Sequence, residues 1–143
     1  MIEQRERQSM SRIQGAIEMW ICLTDSFVSV VQDGNDLNRM VVRGRRKEHL
    51  QALFPEREIL LTPDADYVAR ILVTREEFAS LVNRRITEIT YDNFKGSVAD
   101  PALHDLYADF WSLHRRYQEN GGQRDRSGHF AWGPGDIQFT PKV

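Results

Sequence analysis

Hydrophobic and polar positions change their period several times along the chain, and each change marks a predicted element. Residues 19–46, "MWICLTDSFVSVVQDGNDLNRMVVRGRR", are rich in β-branched and aromatic side chains and are interrupted by "TDS" and "DGND". This pattern predicts two strands joined by a hairpin at "DGND", with the first strand open to division at "TDS". "KEHLQALF" has the spacing of a short helix, and Pro55 stops it because proline disfavours helical geometry in the residue before it. "EILLT" and "DYVARILV" read as two further strands around the turn "PDA".

Two helices complete the pattern. Thr74 and Glu77 form a T-x-x-E capping box, with Val73 and Phe78 placed for a hydrophobic staple. Phe78, Leu81, Val82 and Ile89 mark the expected buried face of that helix, and Arg84, Arg85 and Glu88 its solvated one. Asp100 and Pro101 supply the cap and first turn of a last helix running roughly to Gln118. Its core stripe is Leu103, Leu106, Tyr107, Phe110, Leu113 and Tyr117, joined by Trp111, and Asp105, Asp109, Ser112 and Arg116 line the wet side.

The order ββαββαα predicts an α+β domain over 19–118: a largely antiparallel sheet of four or five strands and three helices, mainly on one face. A ferredoxin-like sheet is the alternative, but it needs βαββαβ order. Residues 1–18 read as a frayed or weakly helical N-terminal extension, and residues 119–143 as a flexible or extended C-terminal tail.

Composition narrows the function classes. The chain has 143 residues, a formal net charge of -2 and a pI near 6.1, unlike a general nucleic-acid coat protein. No run has the length of a membrane span and the first eighteen residues lack a signal-peptide core, so a cytoplasmic location is expected. The single cysteine, Cys22, lies in an apolar run and is expected to be buried. Neither a disulfide framework nor a Cys/His metal motif is present, and no phosphate loop or nucleophile elbow occurs. No cofactor or metal is therefore expected.

Charge is unevenly spread. Residues 39–85 carry ten Lys/Arg against seven Asp/Glu, and residues 86–120 three against six. Strand alternation places Arg39, Arg43 and Arg45 on one face, followed by Arg46 and Lys47, with Arg70 extending the stripe from a neighbouring strand. Such a row suits phosphates or a partner's carboxylates. A second candidate is the loop "YDNFKGS", where Tyr91, Asp92, Asn93 and Lys95 are polar or aromatic residues outside regular structure.

"MWICLTDSFVSVV", "VVRGRRKEHLQALFP", "TPDADYVARILVTREEF" and "ITYDNFKGSVADPALHDLYADFW" together resemble a family of small uncharacterised proteins of bacteria and their phages, over about residues 19–118. The resemblance implies a non-catalytic binding module, of the kind that acts as a phage-type inhibitor of a host defence or nucleic-acid-handling complex through protein–protein contact. The host partner would then be a protein or ribonucleoprotein complex. Direct nucleic-acid binding is the alternative, with the residues from Arg39 to Lys47 on phosphates and Trp20 or Tyr67 stacking on bases. An enzyme centred on Tyr91, Asp92, Lys95 and His104 requires those four to converge in one pocket.

Overall fold

The computed structural model describes residues 19–121. Five strands form one antiparallel sheet: β1 (Met19–Cys22), β2 (Phe27–Asp33), β3 (Asp36–Gly44), β4 (Leu60–Leu61) and β5 (Ala69–Thr74). Their spatial order is β1-β2-β3-β5-β4. Helices α1 (Lys47–Leu53), α2 (Arg75–Thr87) and α3 (Pro101–Glu119) complete the domain, with a 3-10 turn at Lys95–Ser97. The α+β class follows, and the first predicted strand is indeed divided, by the turn at Thr24–Ser26. "EILLT" shortens to the two-residue, exposed β4, because Leu60 and Leu61 pair only with the start of β5 at the sheet edge.

Strand alternation sorts the core. Val28 and Val30 of β2, Met40 and Val42 of β3, and Ala69, Ile71 and Val73 of β5 share one face with Leu50 and Leu53 of α1 and Phe78 and Leu81 of α2. Leu50 is fully buried, which is worth about 1.5–3 kcal/mol by area. Gly44 makes room for it: a β-carbon there would lie 3.3 Å from the Arg46 carbonyl and 3.4 Å from Leu50 Cγ. The capping box forms as expected, with the Glu77 N–H donating to Thr74 Oγ1 over 3.1 Å, and Val73 and Phe78 are both buried.

Phe27 points the other way from Val28 and nucleates a second cluster with Val98, Leu103 and Tyr107. Through it α3 is held at the opposite face of the β1–β2 hairpin, leaving two helices on one face and one at the other. Asp100 caps α3 by accepting from the Ala102 N–H over 3.0 Å. At the far end Gly121, with φ of 59°, takes the left-handed conformation that ends a helix.

Several expected burials are corrected. Cys22 is exposed, because β1 is an edge strand, although partial burial of its thiol pushes the pKa up. Ile89 is 50% exposed, because α2 ends at Thr87 before the next turn could bring it down onto the sheet. Trp111 and Tyr117 are also largely exposed, since α3 touches the sheet through Tyr107 and Phe110 on another side. Arg85 is less solvated than its position suggested: its guanidinium forks onto Asp25 with distances of 3.2 and 2.9 Å, tying α2 to the β1–β2 turn. The readings for residues 1–18 and 122–143 lie outside the described residues.

Candidate partner-binding site

The arginine stripe divides into three parts. Arg43 faces Ser29 on one side and Arg70 on the other across the sheet, and donates from Nη2 to Ser29 Oγ over 2.8 Å. Its guanidinium carbon lies 4.6 Å from the Tyr67 ring centre, and that of Arg45 lies 4.4 Å from the same ring. Arg70 joins them by donating to the Tyr67 carbonyl over 3.3 Å. Tyr67 is 4% exposed, so its ring is shielded from water, whereas 52% of the Arg45 side chain stays exposed; cation–π attraction grows as the cation is desolvated. Arg70 Nε is buried without a hydrogen-bond partner among the described residues.

Arg39 stands apart. Four residues from Arg43 along the strand, about 13 Å by strand rise, it is held by Asp33, Nε to Oδ2, over 2.5 Å. The Asn35 N–H and the Arg39 guanidinium together hold the Asp33 carboxyl below its ordinary range. Arg46 and Lys47 lie beyond β3, where Arg46 approaches Glu48 at 3.5 Å and Lys47 opens α1. Arg45 also donates from Nη1 to the Asp66 carbonyl and to Asp66 Oδ1, both over 2.9 Å. Arg45 and Arg46 keep half or more of their side-chain surface exposed.

The "YDNFKGS" loop has a different role from the stripe. Asn93 Oδ1 accepts from the Gly96 N–H over 3.1 Å and the Asn93 carbonyl from Ser97 Oγ over 2.9 Å, so Asn93 organises the 3-10 turn. Lys95 Nζ sits 4.3 Å from the Trp111 ring centre. Tyr91 packs 6.0 Å from Phe94, and Asp92 is exposed. His104 lies beside Asp105 at 3.5 Å. Tyr91 lines a cleft against β1 and α2 that contains none of Asp92, Lys95 and His104. The described contacts thus leave the four residues of the enzyme alternative on separate partners.

What the stripe does join is an apolar trough under α3. A cleft of about 530 Å³ is walled by Trp20, Phe27, Tyr67, Leu103, Leu106 and Phe110, with Arg45, Arg46 and His49 also at its lining. A second cleft, of about 560 Å³, continues toward the end of α3 past Leu113, His114 and Tyr117 and shares Trp20, Phe27 and Phe110 with the first. These shared aromatic rings make a ladder: Trp20 stands edge-on to Phe27 at 5.9 Å, and Phe27 to Phe110 at 5.6 Å.

His49 was not among the residues singled out by sequence. It lies on a seven-residue helix whose apolar spacing marks Leu50 and Leu53 instead. Only the fold brings it beside β2, where its Nδ1 accepts from the Phe27 N–H over 3.3 Å. That bond uses the neutral ring's acceptor and places the ring proton on Nε2. A donor is thereby supplied by a residue that lines the apolar cleft and is only 8% exposed.

Comparison with protein-family models, with curated proteins and with solved structures yields no match. No helix among the described residues is long and apolar enough to cross a membrane. No group of three or more potential metal ligands occurs among the described residues.

Proposed function

We propose that the chain is a small non-catalytic binding module that takes a protein partner into the trough under α3. An apolar side chain of the partner enters between the aromatic ladder and Tyr67, and acidic groups beside it meet Arg45 and Arg46. The observation that carries this reading is the pairing of an apolar trough with two half-exposed guanidinium groups at its lining. Buried apolar anchors rimmed by charge are the usual anatomy of a protein interface. In the phage-type inhibitor role that the resemblance implies, the partner belongs to a host defence or nucleic-acid-handling complex.

The exposed ion pairs of Arg45 with Asp66 and Arg46 with Glu48 are of a kind worth little in water, so a partner's carboxylate can replace them at small cost. A phosphate-reading row fits less well. Arg39 is committed to Asp33, and Arg43 and Arg70 are engaged around Tyr67 and Ser29. Selection from a displayed random-peptide library against the immobilised full chain tests the proposal. Sequences with Phe, Trp or Leu within three residues of Asp or Glu should be enriched by the wild type and lost with Arg45→Glu/Arg46→Glu. No enrichment, with tight oligonucleotide binding that falls steeply with salt, would favour the nucleic-acid alternative instead.

A further inference from the structure

The trough under α3 holds two hydrogen-bond donors that the fold does not use. His49 accepts at Nδ1 from the Phe27 N–H, and its remaining polar atom is the protonated Nε2. The carbonyl and ring of Tyr67 are engaged by Arg70, Arg43 and Arg45, but its hydroxyl makes no hydrogen bond among the described residues, and neither does His49 Nε2. Neither atom is fully sealed from solvent, and both residues line the cleft of about 530 Å³. Exposed by only 8% and 4%, these side chains offer donors that an acceptor reaches by entering the cleft together with an apolar group.

We infer that this acceptor is the C-terminal carboxylate of the protein partner, and that the apolar anchor is the side chain of the same last residue. The inference rests on the reading of the trough as a partner site. A C-terminal residue carries its carboxylate and its side chain on one α-carbon, so both arrive together. An Asp or Glu further along a chain would instead draw the intervening backbone N–H and C=O groups into a cleft lined mainly by apolar side chains, where most would lack partners. Capture of a terminal carboxylate by clustered donors is a recurrent mode of peptide recognition.

The charged groups at the lining agree with this occupant. Arg45 and Arg46 add two guanidinium groups to the neutral donors, and bonds from them to a carboxylate are charge-assisted. Asp100 is the acid of the lining, and it favours a peptide end over a small carboxylic acid. Its Oδ1 accepts from the Ala102 N–H at the start of α3, while Oδ2 makes no hydrogen bond among the described residues. That oxygen can accept the amide N–H of the terminal residue. A peptide end presents one strong acceptor and one donor, and the cleft presents the complement of each.

The test titrates the isotope-labelled full chain with N-acetylated Gly-Ser-Gly-Ser peptides ending in Phe, Leu or Trp, each as the free acid and as the carboxamide. At least one free acid should shift the amide resonances of Phe27, His49 and Leu103 saturably and bind about tenfold more tightly than its carboxamide. Tyr67→Phe keeps the ring that Arg43 and Arg45 pack against, and His49→Asn keeps an acceptor for the Phe27 N–H. Each should reduce the preference for the acid and leave the affinity of the carboxamide unchanged, whereas a merely structural role would weaken both alike. Equal binding of acid and carboxamide in the trough would overturn the inference and leave the trough standing as a partner site. Shifts from none of the peptides would also overturn it, and the reading beneath it would fall as well only if library-selected internal sequences failed to bind. Hydrocinnamate has the ring and carboxylate of the Phe peptide but no amide N–H. Binding of hydrocinnamate as tight as that of the Phe acid would assign the cleft to small apolar acids and overturn the inference too.

Discussion

The Tyr107 hydroxyl donates to the Leu23 carbonyl over 2.7 Å and shares its proton with the Ser26 carbonyl at the same distance. This bond pins the middle of α3 to the β1–β2 turn, and it sets the height of the trough that Phe27 and Phe110 line. Burial, with smaller contributions from Cys22 and Asp25, pushes the Tyr107 pKa well above the usual phenol range, so the hydroxyl keeps its proton and donates at neutral pH. Tyr107→Phe keeps the ring but removes the donor. Removing this donor from the Leu23 carbonyl, while the Ser26 carbonyl keeps the Leu23 N–H at 2.8 Å, should lower stability by about 1–3 kcal/mol, read from the midpoint of urea denaturation. An unchanged midpoint would show that α3 is held by its apolar contacts alone.

The Thr74 cap offers a simpler test. Its hydroxyl oxygen satisfies one of the free N–H groups in the first turn of α2. Thr74→Ala should cost about 1 kcal/mol in chemical denaturation, while Thr74→Ser should retain most of that. Equal losses in the two variants would mean that the Thr74 methyl group, not the cap, matters.

Acid should destabilise the protein through Asp33 and Glu77. The Arg57 side chain hydrogen-bonds the Glu77 carboxyl and is the main reason its pKa lies below the ordinary value of 4.5; the Asn35 N–H does the same for Asp33. A carboxyl whose pKa is lower in the folded state binds protons more readily when unfolded. Its stabilisation is complete above the unfolded pKa and is lost as pH falls through the folded one. The melting temperature should therefore decline below about pH 4.5, and less steeply in Arg57→Ala than in the wild type. Because the Arg57 and Glu77 side chains are both exposed, added salt should narrow the difference. Parallel melting curves for the two proteins between pH 5 and 3 would remove Glu77 from the account.

Local signals were the most legible part of the sequence. The Thr74–Glu77 box, the Asp100–Pro101 start and the hairpin at "DGND" all act within a few residues, and all three appear where expected. Burial was less legible, because periodicity identifies an apolar stripe but not what lies opposite it. Trp111 shows the difference: it falls beside the core stripe of α3, yet Lys95 and Arg115 cover its ring instead of a packed layer. Alternation correctly placed Arg43 on the face of β3 opposite Val42 and Gly44, but it could not show that Tyr67, twenty-four residues later, packs against both Arg43 and Arg45. His49 was illegible for the same reason, since its bond to the Phe27 N–H spans 22 residues and depends on how α1 returns to the sheet.

The binding proposal rests on Arg45 and Arg46 acting together with the aromatic trough. The measurement that tests it most directly is the dissociation constant of a library-selected acidic, aromatic peptide, determined at two salt concentrations for the wild type and for Arg45→Glu/Arg46→Glu. Both side chains are half exposed, so circular dichroism and the melting temperature should change little. The double reversal replaces attraction with repulsion, and should weaken binding at least tenfold at low salt and by less at high salt. Equal affinity of the two proteins at both salt concentrations would place the interface elsewhere on the molecule.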